Sequence, residues 1–310
     1  MPRRLIALLV LFSLAAARPG AAQQPSGAGR YGMHVGNDTD VAAAIPVLRD
    51  LGVEWVRLWA DVEYAKRQEH TPSFERARAF KKAGFRVILL VSSNARDGAE
   101  PPRYEDVKAY FDWAQAAPGM KEAVDVWEIS NELNLRKYWK YTPAQYVDNV
   151  LKAAWYSLHA GGETVLGGSF TAWQNDKIST EVTRQYVEAG YLKYCDYAGL
   201  HPYANTLADV QKVTEEALRL YGSKPVIFGE WNYKEDPFRN DWNQWARMLT
   251  EAKSYFDTQP RIKVICLYRL IQTPREGGWP GFVKNGTPYA PQQPFYDTLR
   301  SWRAAAKTSE

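Results

Sequence analysis

The feature that most constrains this 310-residue chain is an alternation. Eight short apolar, β-branched or aromatic runs recur about every 20 to 40 residues, with helical patterns in the gaps. The runs predict strands over 31–36, 55–60, 86–92, 124–131, 164–169, 197–203, 225–230 and 263–270. Between them, 40–51 carries apolar residues at helical spacing and stops at Gly52. The stretches 74–83 (before Gly84), 104–117 (before Pro118-Gly119) and 241–256 do likewise, and Thr142-Pro143 is a helix start with a capping residue before a first-turn proline. A chain of this length can bury a large core. Eight strands alternating with helices predict an α/β fold, a single (β/α)8 barrel. The rival, a doubly wound open sheet, calls for a glycine-rich phosphate loop after the first strand. Asn37-Asp38-Thr39-Asp40 stands there instead, and no Walker pattern occurs.

Residues 1–22 do not belong to that pattern. A basic start (Arg3, Arg4), an apolar run over 5–17 and small residues to Ala22 read as a signal peptide. Thirteen or so apolar residues are too few for the roughly 20 that span a bilayer, so an exported protein, secreted or periplasmic, is the expectation. Residues 23–30 read as a flexible segment, 31–304 as the barrel and 305–310 as a tail. Without Arg3, Arg4 and Arg18 the charge is 36 basic against 35 acidic residues, which gives no general affinity for nucleic acid. Cys195 and Cys266 fall in strand-like stretches and read as buried thiols. The four histidines are scattered without ligand spacing, so neither a metal nor another cofactor is expected.

In a barrel the chemistry is built where the loops leave the C-terminal ends of the strands. Those ends carry His34, Arg57, Trp59, Ser92, Asn131, Glu132, Ser169, Trp173, His201, Tyr203, Glu230, Trp231, Tyr268 and Arg269. Two carboxylates dominate. Glu132 follows the fourth strand and Glu230 closes the seventh, and an acid at the end of an apolar strand costs stability unless it is paired or useful. Strands four and seven face one another across a barrel mouth. Glu128 lies four residues earlier, lower in its strand, and reads as the partner of a basic neighbour in the barrel interior. Twelve tryptophans and 19 tyrosines offer flat apolar faces with polar edges, suited to sugar rings. Two carboxylates in an aromatic-lined cleft meet the needs of glycosidic bond cleavage: one protonates the leaving oxygen, the other stabilises or attacks the anomeric carbon.

Asn131-Glu132 after strand four and Glu230 in strand seven resemble the signature of the clan A glycoside hydrolases, the "four-seven" retaining barrels. The look is closest to family 39 and family 5-like bacterial secreted enzymes. Arg57 in Trp55-Val56-Arg57-Leu58-Trp59 is similar to the clan's second-strand arginine, and His201-Pro202-Tyr203 to its sixth-strand motif. Gly281-Phe282-Val283 through Pro288 resembles its closing segment. The resemblance implies that Glu132 is the acid/base, Glu230 the nucleophile, and Asn131 the residue holding the sugar 2-hydroxyl. The clan often places a tryptophan after strand eight; here Tyr268 or Arg269 stands there, with Trp279 in the next loop.

The expectation is therefore a retaining β-glycosidase working as a monomer on a polysaccharide or oligosaccharide, with endo action preferred. Arg57, His201, Tyr203, His34, Trp59, Trp173, Trp231, Tyr268 and Trp279 join Asn131 as candidate substrate-binding residues. Tyr138-Trp139-Lys140-Tyr141, after the acid/base, is a further candidate platform. The rivals are a transglycosylase using the same residues and a non-catalytic carbohydrate-binding barrel. A barrel isomerase or aldolase would want a Schiff-base lysine at a strand end, and Lys263 begins its strand instead.

Overall fold

A computed structural model describes residues 29–66, 72–93, 100–171, 177–233, 241–272, 281–284, 286 and 288–307, with backbone alone for 177–179, 272 and 303–307. The signal-peptide reading and most of the segment 23–30 lie outside these residues. Gly29 and Arg30, at that segment's end, are already tied down: the Trp55 indole donates to the Gly29 carbonyl, and Arg30 reaches the carbonyls of Gln259 and Ile262.

The strands run Tyr31–His34, Trp55–Asp61, Arg86–Ser92, Val126–Ile129, Val165–Gly167 continued by Phe170–Thr171, Ala198–His201, Val226–Trp231 and Ile262–Leu267. All pair in parallel with their sequence neighbours, and the first also pairs with the eighth (Tyr31 opposite Ile265). The fifth strand is interrupted at Gly168-Ser169. Its first half pairs with strand four and its second with strand six, while Leu166 also bridges Tyr197. The sheet thus closes on itself, which removes the open-sheet alternative. The eight predicted strands are the eight of the barrel, with ends moved by at most three residues; three two-residue strands, Ile271–Gln272, Val283–Lys284 and Ala290–Pro291, form a small separate sheet that the sequence reading did not give.

Helices cover the outside. Val41–Leu51 starts on Asp40, whose carboxylate accepts from the Ala43 amide. It stops at Gly52, whose φ of 72° lets its N–H reach back to the last turn. Thr142 and Gln145 exchange reciprocal bonds ahead of Pro143–Gln145, and a π turn over Tyr146–Leu151 leads into Lys152–Ala160. Leu207–Leu220 buries Val210, Val213, Thr214, Ala217 and Leu218, a stripe at spacings of three and four that faces the sheet. Burying each such Val or Leu contributes about 1.5–3 kcal/mol. Two aromatic residues on the helices diverge: Trp113 stacks on Phe74, whereas Tyr156 is half exposed. The last helix, Phe295–Lys307, runs into the stretch read as a tail. Both cysteines are free and buried. Among the described residues no helix is long and apolar enough to cross a membrane.

Inside the barrel the side chains form layers. The bottom layer is apolar: Trp55, Ile88, Val126, Leu166, Ile227, Val264 and Cys266 pack together with Tyr197. Strand residues two positions on point the same way. Arg57 therefore lies above Trp55, Glu128 above Val126 and Gly229 above Ile227, so the apolar floor carries a charged layer that leads to the mouth.

Candidate active site

Arg57 is the centre of that charged layer and is fully buried. Its Nε donates to Glu128 Oε2 at 2.6 Å and its NH2 to Glu128 Oε1 at 3.0 Å. NH1 donates to Glu230 Oε1 at 2.7 Å, and NH2 also to Asn131 Oδ1 at 3.0 Å. Ser169, in the break of strand five, donates to Glu128 Oε1 at 2.7 Å. The layer has no room for another atom beside it: a Cβ on Gly229 would lie 2.9 Å from His201 Nε2 and 3.1 Å from both Arg57 Nε and Glu128 Oε1. Only glycine fits there.

Glu132 reaches the mouth because the chain turns sharply out of strand four. Ser130 (φ 71°) and Glu132 (φ 29°) occupy left-handed backbone, at a cost of roughly 1–3 kcal/mol each. Neighbouring elements impose that turn. Ser130 N–H donates to the Val91 carbonyl and Leu133 N–H to the Ser169 carbonyl. Tyr146, at the π turn, donates its hydroxyl to the Ile129 carbonyl at 2.6 Å and accepts from the Gly168 amide at 3.0 Å. Strands four and five are thereby clamped at the level of the two glutamates.

The glutamates converge. One carboxylate oxygen each from Glu132 and Glu230, together with a ring nitrogen of His201, all lie within 4.8 Å of one another. His201 Nδ1 is 3.1 Å from Glu132 Oε1 and 3.8 Å from Glu230 Oε2. Tyr203 donates to Glu230 Oε2 at 2.8 Å. Three converging donors can also clasp a divalent cation, but Arg57 already supplies positive charge at Glu230. The arrangement reads as two carboxylates around a neutral object.

Burial works against the charge of Glu230, yet His201, Arg57 and the Tyr203 hydroxyl outweigh it and bring its pKa down to about 2. Burial, strengthened by the charge of Glu230, holds the Tyr203 phenol well above its ordinary range, so it remains a donor. Burial also lowers His34 to about 3, with Glu230 opposing and Arg57, Arg269 and His201 adding to the fall. His34 is therefore a neutral ring. Its Nδ1 lies 3.2 Å from Arg57 NH1, and since arginine only donates, Nδ1 accepts and Nε2 carries the hydrogen.

Sequence-predicted residues divide around this cluster. Arg57, Asn131, His34, His201 and Tyr203 gather at the glutamates. Tyr268 is half-buried, its ring 5.1 Å from His34 and 6.3 Å from Tyr203, and it lines the site. Arg269, the other residue considered for that wall, is buried and turned to Asp38 of the first loop at 3.1 Å. Trp59 is half-buried beside Tyr138, ring centres 5.7 Å apart, so these two form an aromatic edge on the Glu132 side. Trp231 is not available to a sugar: it is fully buried, edge-on to Phe256 and Tyr233. Trp139 is likewise buried, edge-on to Tyr141 and Tyr146. Trp173 and Trp279 lie outside the described residues. Sequence reasoning passed over Lys137, whose Nζ is 3.9 Å from Glu132 Oε2 and 4.4 Å from the Tyr138 ring centre. The turns closed by Leu135 N–H on Glu132 and Tyr138 N–H on Leu135 bring it back, and no residue pattern announces such a return.

No family model matches the chain, and no curated protein matches it in sequence. Solved structures do resemble it in fold. A GH128 (subgroup I) endo-β-1,3-glucanase from Amycolatopsis mediterranei, in complex with laminarihexaose, aligns over 88% of this chain and 98% of its own, at 16% identity and a TM-score of 0.58. A family 39 glycoside hydrolase from Bacteroides cellulosilyticus WH2 aligns over 91% and 65%, at 17% identity and a TM-score of 0.62. A β-glucosidase from Exiguobacterium marinum aligns over 91% and 99%, at 11% identity and a TM-score of 0.63. At such identities the likeness establishes the barrel.

Proposed function

We propose that the chain is a retaining glycoside hydrolase that cleaves β-linked glucans or related polysaccharides by double displacement. The observation that carries this is the approach of Glu132 and Glu230, with an oxygen of each inside a 4.8 Å cluster. Retaining glycosidases hold their carboxyl groups about 5–5.5 Å apart, whereas inverting ones leave about 6.5–9.5 Å for a water. Glu230, kept ionised by Arg57 and Tyr203, attacks the anomeric carbon. Glu132 gives its proton to the leaving oxygen, then takes one from the water that releases the product. Asn131, its Oδ1 held by Arg57, presents its amide to the sugar, and Tyr268 with His34 forms a wall for the ring. Trp59 and Tyr138 flank the leaving-group side, next to Glu132.

Endo-β-1,3-glucanases among the similar structures make laminarin the first substrate to try, and endo action is part of the proposal. So are export to the periplasm or medium, supported by the N-terminal pattern, and action as a monomer. Wild-type protein should release oligosaccharides from at least one member of a β-glucan panel, with the β-anomer formed first by NMR. E132Q and E230Q should each lose most of that turnover. Wild-type rates in both variants, or an α-anomer formed first, contradict the proposal. Product sizing with an added acceptor sugar separates hydrolysis from transfer.

A further inference from the structure

Glu128 has no place in the two-carboxylate scheme, yet it accepts two of Arg57's bonds, more than any other partner. Arg57 is enclosed on every side: by Glu128 and Asn131 from strand four and its end, Glu230 from strand seven, His34 from strand one, and Cys266 of strand eight below. No water-exposed surface remains to it. In the resting protein its single positive charge faces two carboxylates. During double displacement one of these disappears. Glu230 Oε forms a bond to the anomeric carbon as the bond to the leaving oxygen breaks, that oxygen takes the proton of Glu132, and Glu230 becomes a neutral ester. A fully buried guanidinium left beside an ester alone would be an uncompensated charge, which proteins tolerate poorly.

We infer that Glu128 is a positioning residue, the permanent counter-charge that keeps Arg57 paired and in place while Glu230 is esterified. This role rests on the double-displacement reading above. Ser169 of strand five's break donates to Glu128, and the backbone of Gly229 packs so close to the pair that no side chain fits between. Arg57 thus alternates between two charged carboxylates and one, without moving and without meeting water.

The test begins without substrate. E230Q imitates the neutral ester state in charge and shape. Thermal unfolding of E230Q, E128Q and the double variant gives a cycle. The double variant should melt on the order of 6–10 °C below the sum of the two single effects, because only there does buried Arg57 lack any carboxylate. A double variant that does not fold counts the same way where the summed single effects leave its expected melting point well above the assay temperature, and otherwise E128D/E230Q decides as below; additive effects overturn the role. Should E128Q alone fail to fold, E128D replaces it, and E128D/E230Q must then melt close to E230Q, since the charge is kept. A further loss of the size expected for E128Q/E230Q refutes the counter-charge. On a 2,4-dinitrophenyl β-glycoside that the wild type turns over, E128Q should slow the dinitrophenolate burst by about ten- to a hundredfold with KM within about twofold, and E128D should restore most of it. Equal losses in burst and KM mean Glu128 only holds the fold and overturn its role in the covalent step. Turnover without any burst or trapped ester in the wild type removes the double-displacement reading itself, a result separable from an additive cycle.

Discussion

Replacing Tyr203 with phenylalanine removes one oxygen and leaves the packing in place. That hydroxyl is buried, donates at 2.8 Å to Glu230 Oε2, and is itself held protonated by burial and by the charge of Glu230. A hydrogen bond to a charged acceptor is worth about 1.5–3 kcal/mol, and 1.36 kcal/mol corresponds to one pH unit. Loss of the bond disfavours the ionised form, so the Glu230 pKa rises from about 2 to roughly 3–4. In the proposed mechanism only ionised Glu230 attacks, so the acid limb of kcat/KM should move up by about one to two pH units. The plateau at neutral pH stays fully ionised in both proteins. The assay is initial rate against pH from 2.5 to 7 after brief exposure to acid, with far-UV circular dichroism to confirm folding at each point. An acid limb that coincides with the wild type, or moves downward, refutes the claim that Tyr203 holds the charge of Glu230.

Gly229→Ala forces a methyl group to within about 3 Å of His201, Arg57 and Glu128. It should lower the melting temperature by several degrees, roughly 2–6 °C, and depress kcat more than tenfold; unchanged kcat would mean the cluster is less tightly sealed than the geometry requires. Tyr268→Ala should raise KM several-fold with a smaller change in kcat, as expected for a wall that binds substrate and transition state alike; kinetics identical to the wild type would remove Tyr268 from the site. Glu230 has a folded pKa below its unfolded value, so its contribution to stability is present above about 4.5 and fades as pH falls toward about 2. E230Q should therefore show a flatter stability curve than the wild type over that window in urea titrations, and parallel curves would contradict the depressed pKa.

The barrel was legible because burial on both faces writes each strand as an apolar run, and the helices keep their own period. Errors fall where local backbone is set by contacts distant in sequence. Strand four reads as continuing to Asn131, but the chain leaves the sheet at Ser130, held in left-handed backbone by bonds from strands three and five. The break at Gly168-Ser169 depends on Tyr146, some twenty residues upstream. The glutamates were legible from their places at the ends of strands four and seven, and period two gives the inward face of Arg57 above Trp55, whereas Glu132 owes its direction to the left-handed turn at Ser130. Trp231 shows the limit of that argument: alternation counted from Ile227 and Gly229 would turn it inward and Glu230 outward, but a register shift between Phe228 and Trp231 puts Glu230 inside and Trp231 against Phe256. Lys137 and the choice of Tyr268 over Arg269 depended on loop return and on an ion pair with Asp38, which sequence spacing does not encode.

Azide rescue tests the central assignment most directly. With an activated aryl β-glycoside, E132A forms the ester slowly resolved by water, and azide should speed turnover and give the β-glycosyl azide. E230G lacks the nucleophile, and azide entering the vacated side should give the α-glycosyl azide. Azides of opposite configuration from the two variants are the predicted result; the same configuration from both, or no rescue of either variant on a substrate that the wild type cleaves, contradicts the roles given to Glu132 and Glu230.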